Sequence, residues 1–480
     1  MALEQAVREP DSAVKPDGPP ASITPSIAVL PFANMSADKE NEYFSDGLAE
    51  EIINVLANMP GLKVAGRTSS FFFRGKDVEF DEIGKRLNVD HILEGSVRKS
   101  GNRIRVTAQL IKVADGFHLW SERYDRELTD IFALQDEVTQ AIATALQVKL
   151  APETAATRRH TPDLRAYDAY LKAMDQWSRP TPESLARAKE YLDRAIALDP
   201  EFAPAYTALG MYYSMQASLG NEPTRVVIPL ARAAAHQALR VDPSLSEPHA
   251  LLGVWAGGYD EYDWHRADQH WRLAFAREQV SYHVRFWYGN HFLLPVGRFQ
   301  DALDAMAKGL EGDPINLLYR HHFADGLRNA GRFEEAETEL RRILELDGNF
   351  PWAVSTLGVL CAQQGKLGES LALSEKAFAL IPSPLAAGQL AALLVRTGET
   401  SRAETLLERL KPGTAWGATT GMAMFYALCG QVDQAAEWVE RAIDDRFPRL
   451  VAIFGPLLRS SRRWPAIARM MNLPELPLRG

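Results

Sequence analysis

The stretch "RAIALDPEFAPAYTALGMYY", Arg194 to Tyr213, decides how most of this chain folds. An Asp-Pro turn at Pro200 separates two runs whose apolar and small residues recur at helical spacing. Ala188, Leu192 and Ala195 mark the first run; Tyr206, Leu209, Gly210 and Tyr213 mark the second. Similar helix-ending turns fall at Pro243, Pro314, Gly348 and Pro382. The steps from 314 to 348 and from 348 to 382 are both 34 residues. The step from 243 to 314 is 71, two such units plus three residues, and 200 to 243 is 43. The last interval predicts an insertion of nine residues in "QASLGNEPTRVV". Glycines at 297, 331, 365, 398 and 430 keep the register, as do Leu252-Gly253 and Leu357-Gly358. Ala302, Ala336, Ala403 and Ala435 each stand five residues after a loop glycine, and Ala267 holds the corresponding place. Only a small side chain fits where two helices approach that closely.

A repeat of 34 residues carrying W-x2-L-G-x2-Y and then A-x3-F and P resembles the tetratricopeptide (TPR) repeat. Tyr206 stands in the tryptophan position. The resemblance implies an all-α superhelical solenoid over residues 163–447, about eight helix pairs, the first and last degenerate. The tail 448–480 breaks the pattern with Pro456 and Pro465 and is expected to cap the apolar end of the stack. First helices of such arrays line a groove that takes extended peptides or helices. Projecting repeat position onto residues puts His283, Phe286 and Asn290 on that face in one repeat, and His321, Asp325, Arg328 and Asn329 in the next. Their hydrogen-bonding capacity suits a peptide backbone or terminal carboxylate. Other aromatics, among them Trp255, Trp271, Trp287, Tyr288 and Trp352, are expected to pack between helices.

Residues 26–150 follow a different rule. "SIAVLPF" reads as a buried strand, and "LKVAG" as a second. In "NRIRVTAQLIK", Ile104, Val106, Ala108 and Leu110 alternate with polar residues, the period of a half-buried strand. "KSGN" and "ADG" flank it as turns, so Ile92–Arg98, Arg103–Val113 and Phe117–Arg123 read as an antiparallel meander. A helix over 79–89 and another over about 134–148 complete an α/β (α+β) unit. In "EYFSDGLAEEI", Glu42 to Ile52, the expectation is a helix capped by Ser45 or Asp46 with Glu50 and Glu51 in its first turn, where the helix dipole favours acids. No histidine stands at ligand spacing to turn these acids into a metal cradle. Arg98, Lys99, Arg103 and Arg105 lie on a polar strand face without interleaved aromatics, which reads as solvated.

"IAVLPFANMS", "EYFSDGLAEEII", "GRTSSFFFRGK", "IGKRLNVDHILEGSVRKSGNRIRVTAQLI" and "GFHLWSERYDRELTDIFALQDEV" resemble the TolB-amino-terminal-like domain. The resemblance implies a non-catalytic module without a bound cofactor. In bacterial signalling proteins of this architecture it sits between an effector, either a nucleotide cyclase or a winged-helix DNA-binding domain as in CadC-like proteins, and a TPR array.

The balance of the chain excludes other classes. Net charge is -9 with pI near 5.8, which argues against a nucleic-acid partner through this chain. Cys361 and Cys429 lie two repeats apart, beyond disulfide reach, and suit buried small hydrophobes. No apolar run is long enough for a transmembrane helix. Residues 1–25 read as a Pro-rich disordered leader and 151–162 as a linker. "YDEYDWHRADQH" holds Asp260, Glu261, Asp263, His265, Asp268 and His270, but the two histidines are five apart and point to different faces of a helix. P-loop, nucleophile-elbow, zincin and dinucleotide signatures are absent. The expectation is therefore a scaffold for a protein or peptide partner, not an enzyme, with no cofactor or metal and with a cytoplasmic location. A periplasmic location follows if a membrane anchor precedes the chain. The alternatives are the regulatory half of a cyclase or winged-helix regulator whose effector lies outside this chain, and a TPR-containing enzyme with an unrecognised site.

Overall fold

A computed structural model describes residues 24–148, 163–177, 182–218, 221–259, 261–276, 280–411 and 416–474. Nearly all of the expected leader, the expected linker and Asp260 fall outside these residues.

The N-terminal unit is built from strands β1 (Ser26–Val29), β2 (Ala33–Asn34), β3 (Lys63–Val64), β4 (His91–Ser100), β5 (Arg103–Lys112) and β6 (His118–Glu127). Helices α1 (Glu42–Ala57), α2 (Arg67–Phe71), α3 (Phe80–Leu87) and α4 (Ile131–Ala145) accompany them. The sheet order is β3-β1-β4-β5-β6, with β2 also on β4. β1 pairs in parallel with β3 and β4, while β4, β5 and β6 run antiparallel as the alternation in β5 predicts. Ile104, Val106, Ala108 and Leu110 are buried against α1 and α4 together with Leu48, Ile52, Leu134 and Val138.

The capping expectation for α1 fails. The helix starts at Glu42, so Ser45 and Asp46 lie inside its first turns and are buried, and Glu50 and Glu51 fall in its middle. Burial chiefly raises the Asp46 carboxyl, and the Arg74 guanidinium beside it opposes that shift. Glu50 pairs with Arg67 at 2.8 Å. The acids therefore bind α1 to the segment around α2.

The remainder is a helical solenoid. Its helices are α5 (Leu164–Trp177), α6 (Pro182–Leu198), α7 (Ala203–Ser218), α8 (Thr224–Val241), α9 (Glu247–Gly258) and α10 (Trp264–Ala274). Then come α11 (Tyr282–Tyr288), α12 (Phe299–Gly312), α13 (Leu317–Asn329), α14 (Phe333–Leu346), α15 (Pro351–Gln363) and α16 (Leu367–Leu380). The array ends with α17 (Pro384–Thr397), α18 (Thr400–Glu408), α19 (Ala418–Leu428) and α20 (Val432–Asp444), and two further helices follow, α21 (Leu450–Leu458) and α22 (Trp464–Met470). Each first helix packs on the second helix that follows it. The loop glycines Gly297, Gly331, Gly365, Gly398 and Gly430 all have φ between +77° and +92°, a left-handed turn that a side chain would strain. Ala267, Ala302, Ala336, Ala403 and Ala435 are fully buried at the helix crossings, and Ser370 takes the same place after Gly365. Trp255 and Trp271 are fully buried as expected, whereas Trp352 is 38% exposed.

Two contacts fix the α/β unit on the solenoid. α1 packs on α5 at Gly47, where an added Cβ would meet Leu171 Cδ2 at 2.4 Å. Farther along the array, the Gly66 N–H donates to Gly312 O at 2.6 Å and the Ser69 N–H donates to Asp313 Oδ1 at 2.8 Å. The Ile315 N–H returns a bond to Ser69 Oγ at 2.8 Å. Asp313 is fully buried, and Asn316 Nδ2 holds its other oxygen at 2.8 Å. The Asp-Pro turn that sets the repeat register also receives the α/β unit.

Candidate functional site: a polar channel filled by the C-terminal helices

The structure brings Asn290, His321, Asp325, Arg328 and Asn329 together on one wall, but it buries them. Each is less than 10% exposed. Their cover comes from the chain itself. α21 lies against α13, α19 and α20, and its apolar side shares a core with residues of α15 and α17. Leu450, Val451, Phe454 and Leu458 are buried there, each worth about 2 kcal/mol of apolar transfer. The tail does lie on the last pair, but it also crosses the array: the Trp264 indole N–H donates to Met471 O at 2.9 Å. Just before the tail, Arg446 stacks on Tyr262. The Arg225 guanidinium also donates to Asp444 O, so one turn of the solenoid closes on itself.

Polar contacts concentrate along α13. Asn329 Nδ2 donates to Ala452 O at 3.0 Å, and Arg459 donates to Asn329 O at 2.8 Å and to its Oδ1 at 3.0 Å. Gly455 faces the same amide, where a Cβ would stand 2.9 Å from Asn329 Oδ1. Asp325 accepts from Arg328 at 3.0 Å and lies 3.5 Å from Arg449. Arg328 is therefore held in an internal ion pair and is not presented to a ligand. Arg459 rests on the Phe299 ring at 4.5 Å, and burial pulls its guanidinium down to about 10, still cationic at neutral pH.

Three histidines line this wall. Burial pushes His291 down to about 3 and His321 to about 4, and it holds His322 well below its ordinary value. All are neutral at physiological pH. Arg449 Nη1 lies 2.7 Å from His322 Nε2 and can only donate, so Nε2 accepts and Nδ1 carries the proton. The terminal amide of Asn290 lies 3.3 Å from that Nδ1, and hydrogen-bond logic turns its oxygen toward the ring. His321 Nε2 meets Thr356 Oγ1 at 3.0 Å. Asn290 sits in a π turn, Gly289–Leu293, that continues α11 and rotates it toward α13.

Two of the expected groove residues do other work. Phe286 is fully buried and stacks on Tyr319 with ring centroids 3.9 Å apart, so it is inter-helix packing. His283 Nδ1 bonds to Tyr319 OH at 2.6 Å, on the side of the array that meets the α/β unit. Sequence reasoning missed Arg449, Arg459 and His322. The apolar run from Leu450 to Leu458 between two arginines was visible, but nothing local showed that it turns inward.

Elsewhere, Lys99 is not simply solvated: it lies 3.9 Å from Asp168 of α5 and over the Phe44 ring. Arg105 pairs with Asp125 across the meander at 2.8 Å. His265 bonds to Gln269. Among the described residues no group of three or more His, Cys, Asp or Glu side chains is placed to hold a metal ion, and no helix is long and apolar enough to cross a membrane. Cys361 is buried and Cys429 half-buried, both as free thiols.

Residues 23–141 match the family described as HilA/YgeH-like transcriptional regulator, second domain. The chain is 39% identical over 260 residues to "Putative adenylate cyclase 3" of Rhizobium meliloti (strain 1021), covering 53% of this chain and 44% of that protein. It thus spans less than half the length of this relative. Yeast Tom70 resembles it at 15% identity over 72% of this chain and 77% of that one, with a TM-score of 0.40. TolB from Acinetobacter baumannii resembles it at 18% identity over 26% of this chain and 29% of that one, with a TM-score of 0.20. The architecture of this chain is a helical solenoid of paired helices preceded by a small mixed sheet.

Proposed function

We propose that this chain is a non-catalytic, partner-binding part of a bacterial signalling protein, and that its solenoid channel receives a segment of a protein partner. The observation that carries this reading is the channel itself: a wall of buried polar side chains that already holds a helix through Asn329 and Asp325. On this reading the chain divides into a TolB-amino-terminal-type unit at 26–150, the repeats at 163–447 and the tail at 448–480. It works in the cytoplasm, without a cofactor and without nucleic acid as its own ligand.

A second reading has specific support. The relative named as an adenylate cyclase extends well beyond the matched region, and the N-terminal match is to the second domain of a transcriptional regulator. Both fit a regulatory half whose effector, a nucleotide cyclase or a winged-helix domain, lies outside this sequence. Partner binding in the channel would then set the state of that effector.

The test is site-specific photocrosslinking in the native cell. A photoreactive residue would replace Gln363, exposed beside the channel, or Glu334, exposed on the outer helix layer. A discrete adduct at 363 and not at 334, mapped by mass spectrometry to one protein segment, supports the channel as the working surface. Equal labelling at both positions, or none at either, removes it.

A further inference from the structure

We infer that residues 448–474 are a displaceable occupant of the solenoid channel, and that the partner recognised there is a helix of the same chemistry as α21. That chemistry is an apolar face bracketed by two arginines. The inference rests on the reading of the channel as the partner site and says what that partner looks like.

Four observations support it. First, the seat is charge-complementary: Asp325 faces Arg449 at one end of α21, and the Asn329 carbonyl and amide oxygen receive Arg459 at the other. A helix presenting cations at these two places is selected over an apolar helix without them. Second, the seam between segment and wall mixes buried apolar side chains with hydrogen bonds to neutral polar groups. Such seams release and re-form more readily than a continuous apolar core, because both surfaces recover hydrogen bonds to water.

Third, the segment leaves the array through a strained connection. Arg446 and Arg449 have φ of 61° and 62°, so two non-glycine residues within four positions sit in the left-handed region. Strain in a connection relaxes when the segment it holds is released. Fourth, the fit depends on a missing side chain. Gly455 lies against Asn329 Oδ1 and the Arg459 guanidinium, so a residue as large as leucine there crowds both groups and should weaken the seating of the segment. Because the same tail reaches Trp264 through the Met471 carbonyl, its displacement would also free the start of α10 from that contact.

The experiment uses the full chain with a site-specific protease sequence inserted between Phe447 and Pro448. The probe is a fluorescent peptide of residues 449–473. Before cleavage the probe should not bind. After cleavage the native fragment should leave and the probe replace it, and probes carrying R449A with R459A, or Gly455→Leu, should bind at least about tenfold more weakly. The uncut full chain carrying Gly455→Leu should admit the unmodified probe, with circular dichroism confirming that the helices remain. A cut fragment that never exchanges makes the segment a fixed part of the core and overturns the inference. So does a probe that binds cut and uncut chains equally. Exchange that succeeds while photocrosslinking finds no partner would retain the displaceable segment and discard the functional reading.

Discussion

Helix α13 is held at both ends, and the two ends are built differently. At its N-terminal end, Asp313, itself held by Asn316, accepts the Ser69 amide of α2 in the α/β unit, and Gly66 comes close enough that a Cβ would meet Tyr282 OH at 2.5 Å. At its C-terminal end, Asn329 and Asp325 meet α21 through long arginines and carbonyls. The first junction has short-range, backbone-directed bonds around one buried carboxylate and little room to move. The second uses side chains that reach across a seam. A single helix therefore joins a fixed dock to an exchangeable one.

Acid should distinguish the two ends most. His291 and His321 are depressed to about 3 and about 4, so the unfolded chain binds more protons than the folded one below the ordinary histidine value. Their contribution is fully present above about pH 6.5 and is lost as pH falls toward 4. From pH 7 to pH 5 each should remove roughly 2 kcal/mol of stability. Hydrogen exchange at residues 449–471 should rise before exchange at 66–71. Simultaneous opening would break the comparison.

Asp313→Ala should be the next largest effect, because it leaves the buried Ser69 N–H without its acceptor. A loss of about 3 kcal/mol in urea unfolding is expected. Gly47→Ala sharpens the same side: the new methyl meets the end of the flexible Leu171 side chain, so about 1–2 kcal/mol is expected in the same assay. Asn329→Ala should cost about as little globally, but should raise exchange in 449–459 with the 66–71 segment unchanged. If it disturbs both segments equally, the two ends of α13 are one cooperative unit. Arg105→Ala, which cuts an exposed pair within the meander, should leave the melting temperature unchanged within error.

The path from residue to role was not equally readable in these regions. The repeat register rests on Gly297, Gly331 and their equivalents, and on Ala302 and Ala336 five residues later. Those positions follow from the helix-turn-helix geometry of one repeat, so periodicity alone exposes them. The β4-β5-β6 meander is equally plain in the alternation around Ile104–Leu110. That "EYFSDGLAEEI" starts a helix was legible, but its cap was placed at Ser45 or Asp46, because an Asp near a helix beginning looks the same whether it caps the helix or pairs with a distant Arg74. Asp325 and Asn329 were placed on the inner face, but partners of theirs lie more than 120 residues away in Arg449, Ala452 and Arg459.

Sequence alone therefore determined the helical period, the crossings filled by alanine, the turns made by glycine and the alternating strands. Each depends on residues within one repeat or one hairpin. Only the tertiary structure decided what fills the channel, which carboxylate holds the α/β unit and which polar groups lose their water. The curvature accumulated over the whole array sets those pairings, and a side chain's hydrogen-bonding capacity does not reveal which distant group will meet it.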